Sequence, residues 1–521
     1  MESPKLYYPK ESDRISACMS NVVIQRSGNL LSIETDPELN NRLVPVLDSL
    51  LSYSHRTWFQ GMDLFNRQQQ KRHFPQSILR PEFEDQVRRL YETIEGKIYC
   101  SAGLKSKIIR ALEVLKLSYV YEDLRRDVLP PADYSRLLDI PDLNFRYRQE
   151  EVITTIDCAE GGLINVPTGY GKTHIMTLLC KLYPRSRIAC MSPGLDLIKS
   201  TYERLNSVIP GDVGRIGGGF YEPERRVILC SADSIHRLDM SKMSLIICDE
   251  VHAFATTERS IALCAQYTEA KMFGLSASLN SRADGADAIL EAIFGPILLT
   301  ITYGEAAEAG VVSAINTRMV SVPPAFGHPV LGTNAVSNKR LGYWQNKIRN
   351  QVIAKTCADA IKEVESEDIA EPQILVMVDT VEHVFELKRY LPDYEVVYAN
   401  MSDDLRAKLL KAGLITPDEI MTPERRSELL KRFEKGKLKK VIANHCWKQG
   451  IDPIHLNIFV RADGGTSEIA GIQLPGRLSR VTNAKKEGLL IDFWDEWDNW
   501  ALNRSKKRKA SYKKNGFNLI D

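Results

Sequence analysis

The chain predicts an α/β fold: two domains built on parallel sheets with helices on both faces, preceded by a small α+β domain. Three observations carry this. Short apolar runs recur over residues 163–275 and again over 373–493, with helical patterns between several of them. Buried parallel strands joined by crossovers need that alternation. A Pro- and Gly-containing stretch separates the two series. The length, 521 residues, exceeds one ordinary domain and suits roughly two to four.

The leader, residues 1–140, carries no repeat or catalytic motif. Alternation places strands near Val22–Ile33 and Lys97–Cys100. Helical patterns cover Glu82–Ile94 and Lys105–Leu115, and Val128–Pro141 reads as a linker or domain edge. Residues 141–316 form the first α/β domain, with strands at Leu163–Val166, Arg187–Met191, Arg226–Cys230, Leu245–Cys248 and Met272–Leu275. A linker over 317–345 follows. The second α/β domain, 346–500, has strands at Gln373–Val378, Tyr394–Tyr398, Lys440–Ala443, Asn457–Val460 and Gly488–Phe493. Residues 501–521 read as a basic tail, since Asn503–Lys514 holds seven Lys and Arg and no acid. A solvated terminus fits that run as well as a DNA-binding one.

Composition excludes several classes. At 44% hydrophobic and 26% charged, the chain is that of a soluble globular protein rather than a fibrous or disordered one. The net charge of +2 leaves any nucleic-acid affinity to local patches. No apolar run approaches the ~20 residues of a membrane span, and the N-terminus lacks a signal-peptide apolar region. Ten scattered cysteines without C-x-x-C point to reduced, buried thiols in a cytosol-like compartment.

Chemistry concentrates in three places. Pro167-Thr168-Gly169-Tyr170-Gly171-Lys172-Thr173 follows an apolar strand and opens the helix His174–Leu182. Glycine lets the backbone curl round phosphate oxygens with its N–H groups inward, and the helix N-terminus adds positive partial charge. Lys172 would reach the β- and γ-phosphates and Thr173 would hold Mg²⁺. The general pattern has glycine where Val166 stands. The second place is the end of the run Ser244–His252, where Asp249 and Glu250 close a buried strand. Open parallel sheets bind ligands at that edge. Asp249 suits Mg²⁺, and Glu250 suits orienting and deprotonating a water. A lone His252 would read as structural; its place in DEVH raises it. The third is Gln473-Leu474-Pro475-Gly476-Arg477-Leu478-Ser479-Arg480. Arg477 and Arg480 share a helical face at i,i+3. They suit charge stabilisation on a γ-phosphate, although a solvated basic face would also use them.

In this order the motifs resemble those of superfamily 2 helicases across roughly residues 140–495. Phe145–Gln149 resembles the segment before the phosphate loop, with Arg146 and Gln149 at the adenine-contact positions. PTGYGKT, DEVH and QLPGRLSR match motifs I, II and VI. Cys190–Ile198 and Leu229–Ser234 resemble motifs Ia and Ib, and Gly274–Ser278 resembles motif III with Ser278 where threonine is usual. Ile374–Thr380 resembles motif IV, and Asn444–Asp452 resembles motif V with Asn444 in place of threonine. DEVH, Arg215–Gly219, Arg282–Gly285 and the leader look most like phage UvsW-type repair and recombination helicases. The resemblance implies two RecA-like domains with ATP between them. Lys172, Thr173, Asp249 and Glu250 would come from the first; Arg477, Arg480 and Gln473 would come from the second. It implies coupling through His252, Ser276, Ser278 and Asp452. Nucleic acid would then be contacted near Ser192, Gly194, Ser231 and Thr380 without sequence reading. The implied activity is ATP-dependent DNA unwinding or branch migration, with ATP and Mg²⁺ as cofactors and branched, forked or single-stranded DNA as partner. Replication or recombination proteins are further expected partners, and the cytosol, a bacterial host's if phage-encoded, is the expected location. An RNA helicase or an ATP-gated clamp is the alternative.

Trp494, Trp497 and Trp500 are spaced for one helical face, packing in the core. Tyr7, Tyr8, Trp58 and Phe59 are aromatic enough to stack on bases at a fork, although ordinary packing is the favoured reading.

Overall fold

A computed structural model describes residues 22–58, 83–126, 129–137, 145–255, 257–264, 266–279, 287–332, 334–365, 369–399, 401–416, 421–447, 453–466, 476, 478 and 487–520. The described residues pack as two compact units. One draws on 1–144, 149–164 and 173–300; the other on 145–148, 165–172 and 301–521. The phosphate loop thus counts with the second unit, and the helix after it with the first.

The first unit holds three sheets. Five leader strands run in the order Tyr91–Ile94, Lys97–Ser101, Leu30–Thr35, Val22–Ser27, Tyr119–Asp123. The helices Pro37–Leu51 and Lys105–Val114 contribute Leu43, Leu47, Leu51, Ile108 and Leu112 to the same core. Ser52–Trp58 and Phe83–Arg89 pair as an antiparallel ribbon. The eight-stranded sheet runs Phe220–Tyr221, Val213–Gly217, Val227–Ser231, Ile188–Ser192, Leu245–Asp249, Lys271–Ser276, Gly161–Asn165, Ile297–Thr300. From Val213–Gly217 to Lys271–Ser276 every neighbouring pair is parallel. Their continuous apolar runs are buried along most of their length, as strands covered on both faces require.

The leader fits this sheet closely. A Cβ on Gly103 would lie 2.4 Å from the Glu291 carbonyl oxygen, and one on Gly28 would lie 2.6 Å from that of Thr268. Arg26 and Lys105 both reach the Glu160 carboxylate, at 2.7 and 2.9 Å. Asn29 donates to the Gln266 carbonyl at 3.0 Å.

In the second unit seven strands run Glu395–Val397, Lys440–Ala443, Gln373–Met377, Leu456–Arg461, Glu487–Asp495, Ala314–Val322, Asn518–Ile520, all neighbours parallel.

Several expectations need correction. Of Glu82–Ile94 the described residues form the strands Phe83–Arg89 and Tyr91–Ile94, not a helix: Tyr91–Ile94 turns at Glu95 and Gly96, both at positive φ, into Lys97–Ser101. Glu-Gly is a weaker hairpin signal than Asn-Gly or Asp-Gly, so the helical spacing dominated the reading. The linker over 317–345 begins inside Ala314–Val322, a nine-residue strand paired along its whole length with Glu487–Asp495. The basic tail 501–521 is a helix, Asn499–Lys514, followed by an edge strand. Trp494 lies on a strand and Trp500 on that helix, so the tryptophans share no helical face. They do pack: Trp497 stacks on His328 at 4.8 Å and Trp500 meets Tyr343 at 5.5 Å.

What fixes the C-terminal helix is a buried ionic network. Arg508 Nε donates to Asp492 Oδ2 at 2.8 Å. Arg349 Nε donates to Asp495 Oδ1 at 2.9 Å, and Arg461 Nε to Asp463 Oδ1 at 2.9 Å. The Tyr512 hydroxyl bridges, donating to Asp492 at 2.6 Å and accepting from Arg461 at 3.0 Å. Three cations thus meet three anions, all buried. Removing one partner of such a set strands a charge, at a cost of about 3–5 kcal/mol. Arg508→Ala should therefore lower the unfolding free energy of the second unit by about that amount in urea titration; a loose tail would leave the midpoint unmoved.

His383 is fully buried near the start of the helix Val381–Lys388, and neither ring nitrogen has a hydrogen-bond partner. Desolvation, with Arg349 adding repulsion, pulls it down from 6.5 to about 3 against the opposing pull of Asp379 and Asp463. The folded form therefore resists a proton that the unfolded chain accepts. Its stability contribution is complete above about pH 6.5 and is lost as pH falls toward 3. Chemical denaturation across that window should show up to roughly a tenfold loss in folding equilibrium per pH unit from this residue. His383→Leu should flatten that slope, and an unchanged slope would contradict the assignment.

Candidate functional site

The parallel order gathers strand ends. Asp249 closes Leu245–Asp249 and is paired in register with Leu275, next to Ser276 at the end of its own strand. Ser192 and Ser231 end neighbouring strands and are paired with each other. The strand leading to the phosphate loop, Gly161–Asn165, stands beside Lys271–Ser276 in the same sheet.

Beyond Asp249 the chain turns sharply. Glu250 is a non-glycine residue in the left-handed region, φ 47° and ψ 49°, a conformation that costs about 1–3 kcal/mol and recurs at functional sites. Its N–H donates to Asp249 Oδ1 at 2.9 Å. The Glu250 carboxylate lies 3.5 Å from His252 Nδ1. His252 Nδ1 is also 3.0 Å from Ser276 Oγ, and Ser276 Oγ accepts from the Ser278 N–H at 3.2 Å, with the two hydroxyls 3.4 Å apart. Glu250, His252, Ser276 and Ser278 thus form one chain of contacts, with His252 and both serines buried.

In the phosphate loop, Gly169 and Gly171 have φ of +85° and +105°. Side chains rarely adopt either, so the glycines permit the curl that brings N–H groups inward. Tyr170 is fully buried, its N–H turned back on the Pro167 carbonyl at 3.3 Å and its hydroxyl donating to the Tyr147 carbonyl. Lys172 opens the helix Lys172–Leu182, and Thr173 follows, its carbonyl capped by the Thr177 hydroxyl at 2.8 Å. Arg146 is exposed and reaches the Gly169 carbonyl at 3.5 Å. Gln149 is fully buried at the head of the helix Gln149–Cys158.

Within the second unit, the octamer's Gly476 lies against this loop. A Cβ there would meet Thr168 Cβ at 2.8 Å and its hydroxyl at 3.0 Å. That Thr168 hydroxyl is buried and has no hydrogen-bond partner. Leu478 is fully buried against Gly488 of the strand Glu487–Asp495. Gln473, Arg477, Arg480 and Asp452 lie outside the described residues, as do Tyr7, Tyr8, Phe59, the Trp58 side chain and Arg282–Gly285. Sequence reading missed Gly476 and Thr168 as a pair, because nothing local links positions so far apart.

Of the expected nucleic-acid contacts, Ser192 and Ser231 are buried, and Ser231 Oγ is 2.8 Å from Ser234 Oγ. Gly194 is the N-cap of the helix Leu195–Val208. The Thr380 hydroxyl caps Val381–Lys388 by accepting from the His383 N–H at 3.3 Å.

Among the described residues no group of three or more His, Cys, Asp or Glu could hold a metal ion. Thr173 and Asp249 are hard oxygen donors of the type Mg²⁺ takes together with water and phosphate oxygens. Six of the cysteines are buried, and desolvation raises the Cys248 thiol well above its usual range, which makes it inert.

A family profile described as "Type III restriction enzyme, res subunit" matches residues 142–281. That span holds the phosphate loop, DEVH and the Ser276–Ser278 contacts. Over those residues the chain is similar to that family. It is similar to the DNA 3′-5′ translocase XPB2 of Sulfurisphaera tokodaii, 23% identical over 412 residues, covering 77% of this chain and 91% of that one. A fragment of the HsdR subunit of a type I restriction enzyme from Vibrio vulnificus aligns over 75% of this chain and 70% of its own, at TM-score 0.52 and 18% identity. T4 UvsW covers 96% of this chain and 98% of its own at 15% identity and TM-score 0.40. The profile match and the likeness to a translocase indicate an ATP-hydrolysing enzyme.

Gly171→Ala should strain the loop by about 1–3 kcal/mol and fill its cradle. Titration with a fluorescent ATP analogue should show at least about tenfold weaker binding; parent-like affinity would mean the loop does not hold the nucleotide.

Proposed function

We propose that this chain is a helicase that couples ATP hydrolysis to movement on branched DNA, unwinding it or migrating its junctions, in repair or recombination. The observation that supports the nucleotide half is the approach of Gly476, which precedes Arg477 in the sequence, to Thr168 of the phosphate loop. The DNA half is supported by likeness to a DNA translocase over 77% of the chain.

In this reading Lys172 neutralises charge on the β- and γ-phosphates, and the loop N–H groups hold the remaining oxygens. Bound Mg²⁺ would supply further charge neutralisation, held by Thr173 and Asp249. Glu250 orients the attacking water and takes its proton. The strained backbone at Glu250 aims the carboxylate, and His252 holds its other side. Arg477 and Arg480 stabilise the charge that develops on the γ-phosphate, with Gln473 beside them. The line from Glu250 through His252 to Ser276 and Ser278 gives the hydrolytic group a path to the neighbouring strand end. Asp452 joins this coupling set on the strength of the motif alone. Backbone phosphates run past Ser192, Gly194, Ser231 and Thr380, so binding is structure-dependent, not sequence-specific, and weakens with salt. The cytosol is the proposed compartment.

An ATPase panel over single-stranded DNA, duplex, fork, four-way junction and RNA tests this. Branched DNA should stimulate most, Lys172→Ala should abolish turnover, and Glu250→Gln should retain ATP while losing at least about 100-fold in hydrolysis. Stimulation by RNA alone, or turnover retained in Glu250→Gln, would overturn the reading.

A further inference from the structure

The outermost strand of the eight-stranded sheet carries two exposed aromatic residues that no motif accounts for. Phe220–Tyr221 folds back antiparallel on Val213–Gly217, pairing Gly217 with Phe220 and Ile216 with Tyr221. The turn is Gly218 and Gly219, and both of them and Gly217 are at positive φ. Phe220 is 43% exposed and Tyr221 57%. Each ring is backed by a guanidinium. Arg215 lies 3.5 Å from the Phe220 ring and 4.1 Å from that of Tyr202, so it is held between two aromatics. Arg237 lies 4.8 Å from the Tyr221 ring. These contacts fix the rings before anything binds, and a pre-ordered ring costs less entropy to engage.

The position of this ribbon bears on its partner. A Cβ on Gly217 would lie 2.4 Å from Ser231 Oγ, and one on Gly218 would lie 3.2 Å from the side chain of Leu195, which is itself 52% exposed and follows Gly194. The aromatic pair therefore adjoins the strand ends proposed to meet DNA phosphates. A two-residue edge strand offers too few ladder groups to recruit a peptide strand. Rings with cations behind them, beside a phosphate track, match the π-faces and the charge of a single nucleic-acid strand.

We propose that Phe220 and Tyr221, backed by Arg215 and Arg237, form a stacking ledge for unpaired bases of a DNA single strand. This rests on the DNA reading above, and adds that the enzyme holds bases, not only phosphates. Stacking is blind to base identity, so the ledge adds grip without sequence preference.

The experiment is a two-by-two binding comparison with the full-length chain. Parent and the Phe220→Ala/Tyr221→Ala double variant are titrated against fluorescent oligothymidylate and against an abasic strand of equal length. Stacking contributes about 1–3 kcal/mol per base. The parent should therefore bind the abasic strand at least about tenfold more weakly. The double variant should bind oligothymidylate as weakly as the parent binds the abasic strand, and it should not distinguish the two strands. Phe220→Trp/Tyr221→Trp should restore the distinction, which separates a lost ring from a damaged fold. A parent that ignores base removal, or an alanine variant that still responds to it, would overturn the ledge. If the parent is stimulated by DNA yet blind to bases, the ledge alone fails. If no DNA stimulates the parent, the DNA reading fails with it.

Discussion

Parallel pairing is the constraint on which the rest depends. A parallel strand must return to the same end of the sheet before the next begins, so every strand delivers its C-terminus to one edge. Along the eight-stranded sheet that edge receives Gly217, Ser231, Ser192, Asp249 and Ser276 in spatial order. These positions span 85 residue numbers, from 192 to 276. The fold needs no specific attraction among them to bring them together. The apolar interiors of the strands do so by being buried on both faces. Chemistry is then a matter of which residue follows the last apolar one.

The second unit solves a related problem with charge. Its strand Glu487–Asp495 and helix Asn499–Lys514 carry Asp492, Asp495, Arg508 and Tyr512, none of which suits an apolar interior alone. Linked with Arg349, Arg461 and Asp463, they form a balanced set in which each ion is also hydrogen-bonded. Guanidinia in and beside this set also hold backbone. Arg461 donates to the Gly465 carbonyl at 2.8 Å, and Arg504 donates to that of Gly464 at 3.0 Å. The helix is thus tied to the turn after Leu456–Arg461, from which the chain continues toward the arginine octamer.

How much of this was legible in the sequence depended on the range of the interaction. The phosphate loop, the acidic strand end and the strands around them could be read because glycine placement, apolar runs and capping are local properties. The chain of contacts from His252 to Ser276 was reachable only through family resemblance, since one follows the strand Leu245–Asp249 and the other ends the strand Lys271–Ser276. The C-terminal helix was misread because its arginines look solvated until Asp492, sixteen residues earlier, is known to face Arg508. The hairpin at Glu95 and Gly96 was missed because Glu is an uncommon partner in such turns. Thr168 and Gly476 meet only in three dimensions, and no pattern at either position announces it.

The glycine seam between the leader and the eight-stranded sheet has a mechanical meaning. Where backbone meets backbone with no side chain between, as at Gly103, there is no compressible layer to absorb a rotation. The ionic clasp of Arg26 and Lys105 on Glu160 opposes sliding along the same seam. The leader and the eight-stranded sheet are therefore held as one stiff body, without the slack that a tethered accessory domain would introduce.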